Sequence, residues 1–313
     1  MASDTQVLNI ACAIDDSFVY PLNVMLTSTL ENHKHKKLKI HLFSAALSEK
    51  SVHSFEKLIS SYNQEFKFYK LEEKNFKGLP INERISYATY YRILIPEIID
   101  IPGEKFLYLD SDVVVLKDLS PLFDIELKDK ILASADDLAG VDSNLQLKHK
   151  IPEPYHYFNA GILLIDKNNW IAKNATQQVL DYLNKNKELC EFWDQDGLNG
   201  TLYKERISIP LTWNQQIALH FLKSAPLLRN YPKEYMEALY HPAIIHYNGR
   251  EKPWHFACGH PLKKHFKEYA SLNGQFYYTD KINFKKIIKR YMVYGLLGWK
   301  TLNKYYYYHN KQV

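Results

Sequence analysis

Phe106-Leu107-Tyr108-Leu109-Asp110-Ser111-Asp112-Val113-Val114-Val115 is a run of apolar, β-forming residues broken by two carboxylates at i and i+2. Alternate side chains of a strand share a face. The pattern therefore predicts Asp110 and Asp112 pointing the same way, with Ser111 between them, at the end of a buried parallel strand. Two anions side by side in apolar surroundings repel, and one would stay protonated. A divalent cation removes that conflict. Oxygen ligands on a rigid strand end suit Mg²⁺ or Mn²⁺, with positions left for the phosphates of a nucleotide. An isolated Asp-x-Asp is more often a solvated strand-to-loop junction, so the rest of the chain has to decide.

A chain of 313 residues can bury a sizeable core in one large α/β domain or two smaller ones. Cys12, Cys190 and Cys258 are far apart and odd in number. That argues against a disulfide framework or a structural zinc site and fits a reducing compartment. Met1-Ala2-Ser3-Asp4 is polar and the apolar run Val7–Ile14 is short, so no signal peptide is expected. No apolar run is long enough to span a bilayer, and the expectation is a cytoplasmic protein. The net charge of +5 hides an asymmetry: residues 281–313 carry eight Lys/Arg and no Asp or Glu, which leaves −3 for the rest. A basic tail on a mildly acidic body points to an anionic partner at the tail.

Strand and helix patterns alternate from the N-terminus. Val7–Ile14, Lys39–Ser44 and Gln64–Tyr69 read as strands, Leu22–Glu31 and Ser48–Tyr62 as helices, the second opened by an N-cap Ser. This alternation predicts a parallel sheet with crossover helices. Phe106–Leu109, Ile131–Ala135 and Tyr157–Ile165 extend it, the last interrupted by Asn159-Ala160-Gly161. Trp170–Asn186 and Asp194–Tyr203 read as helices, Ala243–His246 as a short strand, His260–Ser271 and Ile282–Tyr308 as the last helices. No Pro/Gly-rich linker divides residues 1–270. The reading is one α/β domain over 1–270 and a tail over 271–313.

Five further stretches accompany the acidic pair. Ala13-Ile14-Asp15-Asp16-Ser17 ends the first strand, where carboxylates can accept from a base or ribose or simply cap a turn. Ile85-Ser86-Tyr87-Ala88-Thr89-Tyr90-Tyr91-Arg92 puts Arg92 on a helix before the acidic strand, able to clamp a phosphate or a sugar hydroxyl or to form an ordinary ion pair. The small residues of Asn159-Ala160-Gly161 allow a ligand close to the backbone, and Trp193-Asp194-Gln195-Asp196 sets three polar groups after an aromatic. Last comes His246-Tyr247-Asn248-Gly249-Arg250-Glu251-Lys252-Pro253-Trp254. A strand-end His is a ready ligand for Mn²⁺ or Zn²⁺, Gly249 lets backbone N–H groups face an anion, and Lys252 can neutralise a leaving diphosphate.

In this order and spacing, the motifs resemble glycosyltransferase family 8, which includes lipopolysaccharide α-galactosyl- and α-glucosyltransferases and glycogenin. The resemblance covers roughly residues 7–270. It implies a GT-A fold with a mainly parallel, Rossmann-like sheet, and a retaining transferase that moves a hexose from a UDP-sugar with Mn²⁺ assistance. Asp110, Asp112 and His246 match the metal ligands. Ala13, Asp15 and Ile85 match uridine contacts, with Asp16 beside them and Ser17 where relatives often have Asn. Arg92, Asp136 or Asp137, Asn159, Ala160, Gly161, Asp194 and Gln195 match the sugar pocket. Gly249 and Lys252 match the diphosphate clamp. Asp194, Gln195, Lys252 and Arg92 are the implied catalytic set. The doubled Asp136-Asp137 leaves open which carboxylate reaches the sugar.

From Phe284, apolar residues and glycines recur at helix spacing, with Lys285, Lys286, Lys289 and Arg290 on the other side. Trp299 and Tyr305-Tyr306-Tyr307-Tyr308 suit a headgroup interface. The tail therefore reads as a peripheral anchor on an anionic inner leaflet, near a lipid-linked acceptor, or as a helix packed on the body. No nucleic-acid recognition motif accompanies it. Self-glucosylation on the tail tyrosines, as in glycogenin, and UDP-sugar binding without catalysis are the competing functions.

Overall fold

Strand β1, Val7–Ala13, runs through the middle of the main sheet; apart from Asn9 its residues are apolar on both faces, as a strand covered on both sides requires. The computed structural model describes residues 7–72, 90–101, 103–138, 140, 144–220, 232–274, 276–288 and 290–291. β1 pairs in parallel with β2, Lys37–Ser44, and β2 with β3, Glu65–Lys70. Helices α1, Val19–Glu31, and α2, Glu49–Ser61, make the crossovers. Ser48 caps α2 by accepting from Ser51 N, a device that satisfies an orphan N–H. The predicted parallel βαβ half is present.

Helix α3, Tyr91–Ile98, leads into β4, Lys105–Leu109, which is parallel to β1. The acidic stretch then departs from its expected course. The strand stops at Leu109, residues 110–112 turn, and β5, Val113–Val115, belongs to a different sheet. The two aspartates share a side because a turn between two sheets brings them together, not because they alternate along one strand.

The main sheet has seven strands in the order β3-β2-β1-β4-β7-β6-β8. Here β6 is Leu132–Ser134, β7 Ile162–Asp166 and β8 Arg206–Ser208. β7 is antiparallel to both β4 and β6, so the sheet is mostly parallel with one reversed strand. The small sheet orders β5-β10-β9, with β9 Gln215–Gln216 and β10 Ile244–His246. The helix predicted over 170–186 is two, Lys167–Ala172 and Ala175–Lys185, broken where Asn174 takes φ 51°. The helix Pro232–Tyr240 had no reading in the sequence. Of the last predicted helix, residues 282–288 and 290–291 lie within the described residues, with Phe284–Ile288 helical; the apolar face beyond Tyr291 and the four tyrosines lie outside them.

Topology builds one edge. β1, β4 and β6 run the same way, so Ala13–Asp15, Asp110 and Asp137 end at the same side of the sheet, and the reversed β7 begins there with Gly161. This is the carboxyl-end crevice where open α/β sheets bind ligands. β10 pairs antiparallel with β5 in a register that sets His246 opposite Val113, directly beside Asp112.

Candidate active site

Asp110, Asp112 and His246 each offer one atom to a cluster in which all three lie within 4.8 Å of one another. His246 Nε2 is 3.3 Å from Asp112 Oδ1 and 3.8 Å from Asp110 Oδ2. The ring is oriented from behind: Nδ1–H donates to Asn214 Oδ1 at 3.0 Å. That leaves the Nε2 lone pair facing the carboxylates, the tautomer a metal ligand needs. Gly161 makes room. A Cβ there would come within 2.3 Å of His246 Cε1 and 2.8 Å of Asp110 Oδ2. Two carboxylates, an imidazole turned toward them and this clearance fit a divalent cation.

Cations flank the cluster. Lys252 Nζ lies 2.6 Å from Asp112 Oδ2 and donates to Tyr247 O at 2.8 Å. Although burial favours the neutral acid, Lys252 holds the Asp112 carboxyl below the usual carboxylate range. Arg92 extends from α3 with Nη2 3.0 Å from Asp110 Oδ1 and Nε 2.7 Å from Asp194 Oδ2. Its Nη1 donates to Ala160 O at 2.5 Å, and its guanidinium sits 4.8 Å from the Tyr108 ring centroid. Burial pushes the Asp194 carboxyl up to about 7, against the opposing pull of Arg92.

A second set of side chains adjoins them. Gln195 Oε1 accepts from Ala160 N at 2.9 Å, and its Nε2 donates to Asp137 Oδ2 at 3.1 Å. Asn159 Nδ2 donates to the same Asp137 oxygen at 2.9 Å. Asn214 Nδ2 closes the network by donating to Asn159 Oδ1 at 2.9 Å. Buried amides and carboxylates interlocked this way form a rigid polar floor.

The sequence model of glycosyl transferase family 8 matches residues 9–258. The chain belongs to that family. Glycosyl transferase family 8 relatives include General stress protein A of Bacillus subtilis, 27% identical over 85% of this chain and 94% of that protein. Another is a lipopolysaccharide 1,3-galactosyltransferase of Salmonella typhimurium, 26% identical over 86% and 79%. The crystal structure of the galactosyltransferase LgtC in complex with donor and acceptor sugar analogs superposes with a TM-score of 0.77 at 27% identity, covering 90% of this chain and all of that one. The fold of this glycosyltransferase is accordingly of the GT-A type.

Within the family 8 framework, the doubled aspartate separates. Asp137 joins Asn159 and Gln195, whereas Asp136 pairs with Arg206 and, at 2.9 Å, with His156 Nδ1. Asp136 thereby lines a separate cleft of about 420 Å³ with Tyr155 and Tyr203. Asp15 caps the turn Asp16–Phe18 through Ser17 N, and Asp16 accepts from Ser48 N and Ser51 Oγ of the α2 start. A Cβ at Gly249 would meet Ile217 at an ordinary 3.4 Å, so packing does not demand glycine there. Ile85 lies outside the described residues. The sequence reading passed over Asn214. Its signal was the polar run Asn214-Gln215-Gln216 directly after Trp213, all three amides fully buried.

Proposed function

We propose that the protein is a retaining hexosyltransferase that moves galactose or glucose from a UDP-sugar to a glycan or lipid-linked saccharide, with Mn²⁺ or Mg²⁺ at Asp110, Asp112 and His246. The observation that carries this reading is the convergence of those three ligand atoms at strand ends, flanked by Lys252 and Arg92. The galactosyl- and glucosyltransferase relatives acting on lipopolysaccharide support a role in lipopolysaccharide or another surface polysaccharide. When bound, the cation would act as a Lewis acid toward the diphosphate.

The chain's own residues have separable tasks in this proposal. Ala13 and Asp15, with Ile85 by its place in the family motif, are assigned to the uridine. Gly249 and Lys252 hold the diphosphate, and Lys252 acts on charge that develops at the departing phosphate. Arg92 orients Asp194, while Asp137, Asn159, Ala160, Gly161 and Gln195 line the sugar. Retention requires a covalent intermediate or same-face attack. Gln195 is a poor nucleophile whose oxygen already accepts from Ala160 N, and Asp194 is engaged by Arg92. These pairings support front-face attack through a short-lived ion pair, the leaving phosphate taking the acceptor's proton.

We assign catalysis to residues 1–270 and attachment of a cytoplasmic enzyme to the inner leaflet to residues 271–313. The deciding experiment is a panel of UDP-sugars scored for UDP release with and without Mn²⁺. UDP-galactose or UDP-glucose should turn over only with metal. Full turnover in excess EDTA would refute the reading.

A further inference from the structure

The helix Trp193–Leu202 carries Asp194, Gln195 and Asp196 in its first turn. Its first residue, Trp193, has φ 46°, in the left-handed region a bulky side chain avoids. Such a conformation persists only where its surroundings over-determine it. Asp196, completely buried, supplies that constraint. Its Oδ2 accepts from Phe192 N at 2.6 Å. Its Oδ1 accepts from the Tyr157 hydroxyl at 2.6 Å and lies 2.9 Å from His149 Nε2. His149 Nδ1 is in turn 2.8 Å from the Tyr182 hydroxyl.

Tyr157 is where this clamp meets the sugar pocket. A phenol has one proton to give, and Asp196 takes it. Burial, reinforced by the Asp196 charge, raises the Tyr157 hydroxyl well above its ordinary range, so the proton stays. The hydroxyl can then only accept from Gln195, whose Nε2 lies 3.4 Å away. The Gln195 amide is thus oriented from four directions: nitrogen toward Tyr157 and Asp137, oxygen toward Ala160 N and, at 3.3 Å, Asn159 Nδ2.

We infer that Asp196 is a positioning residue that sets the direction of the proton on Tyr157 and, through it, which end of the Gln195 amide faces the sugar pocket. The inference rests on the transferase reading of that pocket. With both oxygens committed and the carboxylate buried, Asp196 is not placed to attack a sugar itself.

Asp196→Asn tests the direction of the chain while keeping its shape. The new amide oxygen is needed by Phe192 N–H, so the amide nitrogen faces Tyr157 and donates to it. The phenol proton must then turn toward the Gln195 nitrogen, donor against donor. We expect kcat to fall about 100-fold, since small displacements of positioned groups cost that much, with the KM for UDP-sugar unchanged. Tyr157→Phe removes both hydrogen bonds of that hydroxyl, the long one to Gln195 included, and should lower kcat about fivefold. The double variant should return to the Tyr157→Phe level, because nothing then opposes Gln195. The same rescue should show in melting temperature without substrate, so an enzyme that turned over no UDP-sugar would defeat the transferase reading yet leave the clamp measurable. Unchanged kcat in Tyr157→Phe, or a double variant no better than Asp196→Asn in rate and melting, overturns the inference. Should Asp196→Asn not fold, the Tyr157→Phe arm alone decides.

Discussion

Asn214 stands between the Asp110–Asp112–His246 cluster and the Asn159–Asp137–Gln195 network, accepting from His246 Nδ1 and donating to Asn159 Oδ1. Groups in this position orient a ligand His, and their loss costs about 10–100-fold in metal affinity. Asn214→Leu should therefore weaken Mn²⁺ binding by about that factor, measured by titration calorimetry or the Mn²⁺ spin-resonance signal. Wild-type affinity in this variant would show that Asn214 only fills space. Gly161 is the second residue on which the cluster depends, because a Cβ would enter His246 and Asp110. Gly161→Ala should destabilise the fold by about 1–3 kcal/mol, as overpacked sites do, and should lower metal affinity more than Asn214→Leu. A melting temperature and Mn²⁺ affinity both equal to wild type would contradict the tight fit.

At the scale of elements, β1, β2 and β3 are tied by one buried histidine. His41 Nε2–H donates to Asn9 Oδ1 at 3.2 Å, and Nδ1 accepts from the Tyr69 hydroxyl at 3.0 Å. Both partners fit the neutral ring. Burial, with Lys39 and Lys67 nearby, lowers its pKa to about 3. The folded state then binds fewer protons than the unfolded chain between pH 3 and the ordinary histidine range near 6.5. Stability from His41 is full above pH 6.5 and declines as pH falls through that window, at up to about 1.4 kcal/mol per pH unit. Urea unfolding at pH 7.0, 6.0 and 5.0 should show this loss, and His41→Gln should flatten the slope by roughly one proton. Equal slopes would assign the acid sensitivity elsewhere, for instance to buried His33 and His260, whose pKa values are also lowered by burial.

For the whole molecule, the question is how the tail relates to the body. Lys286 pairs with Asp280 at 2.6 Å, and Arg290 lies over the Phe256 ring at 4.5 Å while donating to the Tyr278 hydroxyl. Arg290 on Phe256, and Asp280 accepting from Phe256 N at 2.8 Å, hold the start of the tail against residues 1–270. Phe284 is 75% exposed, Tyr291 64% and Ile282 52%. Among the described residues no helix is long and apolar enough to cross a membrane. A fixed start with exposed apolar residues and further cations suits shallow docking on an anionic bilayer, each cation near the surface contributing about 1 kcal/mol. The full chain should co-sediment with anionic vesicles at low salt, less so as salt screens the attraction. Truncation after Asp280 should abolish this while sparing activity on a small soluble acceptor. Equal, negligible sedimentation of both forms would leave the tail as a helix packed on the body.

Short-range physics was legible in the sequence: apolar runs made β1, β2 and β4, an N-cap Ser opened α2, and the family motifs marked Asp110, Asp112, His246, Arg92 and Lys252. These signals lie within a few neighbouring residues. The tertiary structure decided what depends on register between distant strands. It split the acidic stretch between two sheets and reversed β7, where hydrophobic pattern is the same for either direction. Asp137 went to Asn159 and Gln195 and Asp136 to Arg206, because consecutive residues of an extended chain face opposite ways. Asn214 and Asp196 acquired their partners in the same way. A buried polar side chain must find a hydrogen bond, and folding alone determines which residue, dozens of positions away, provides it.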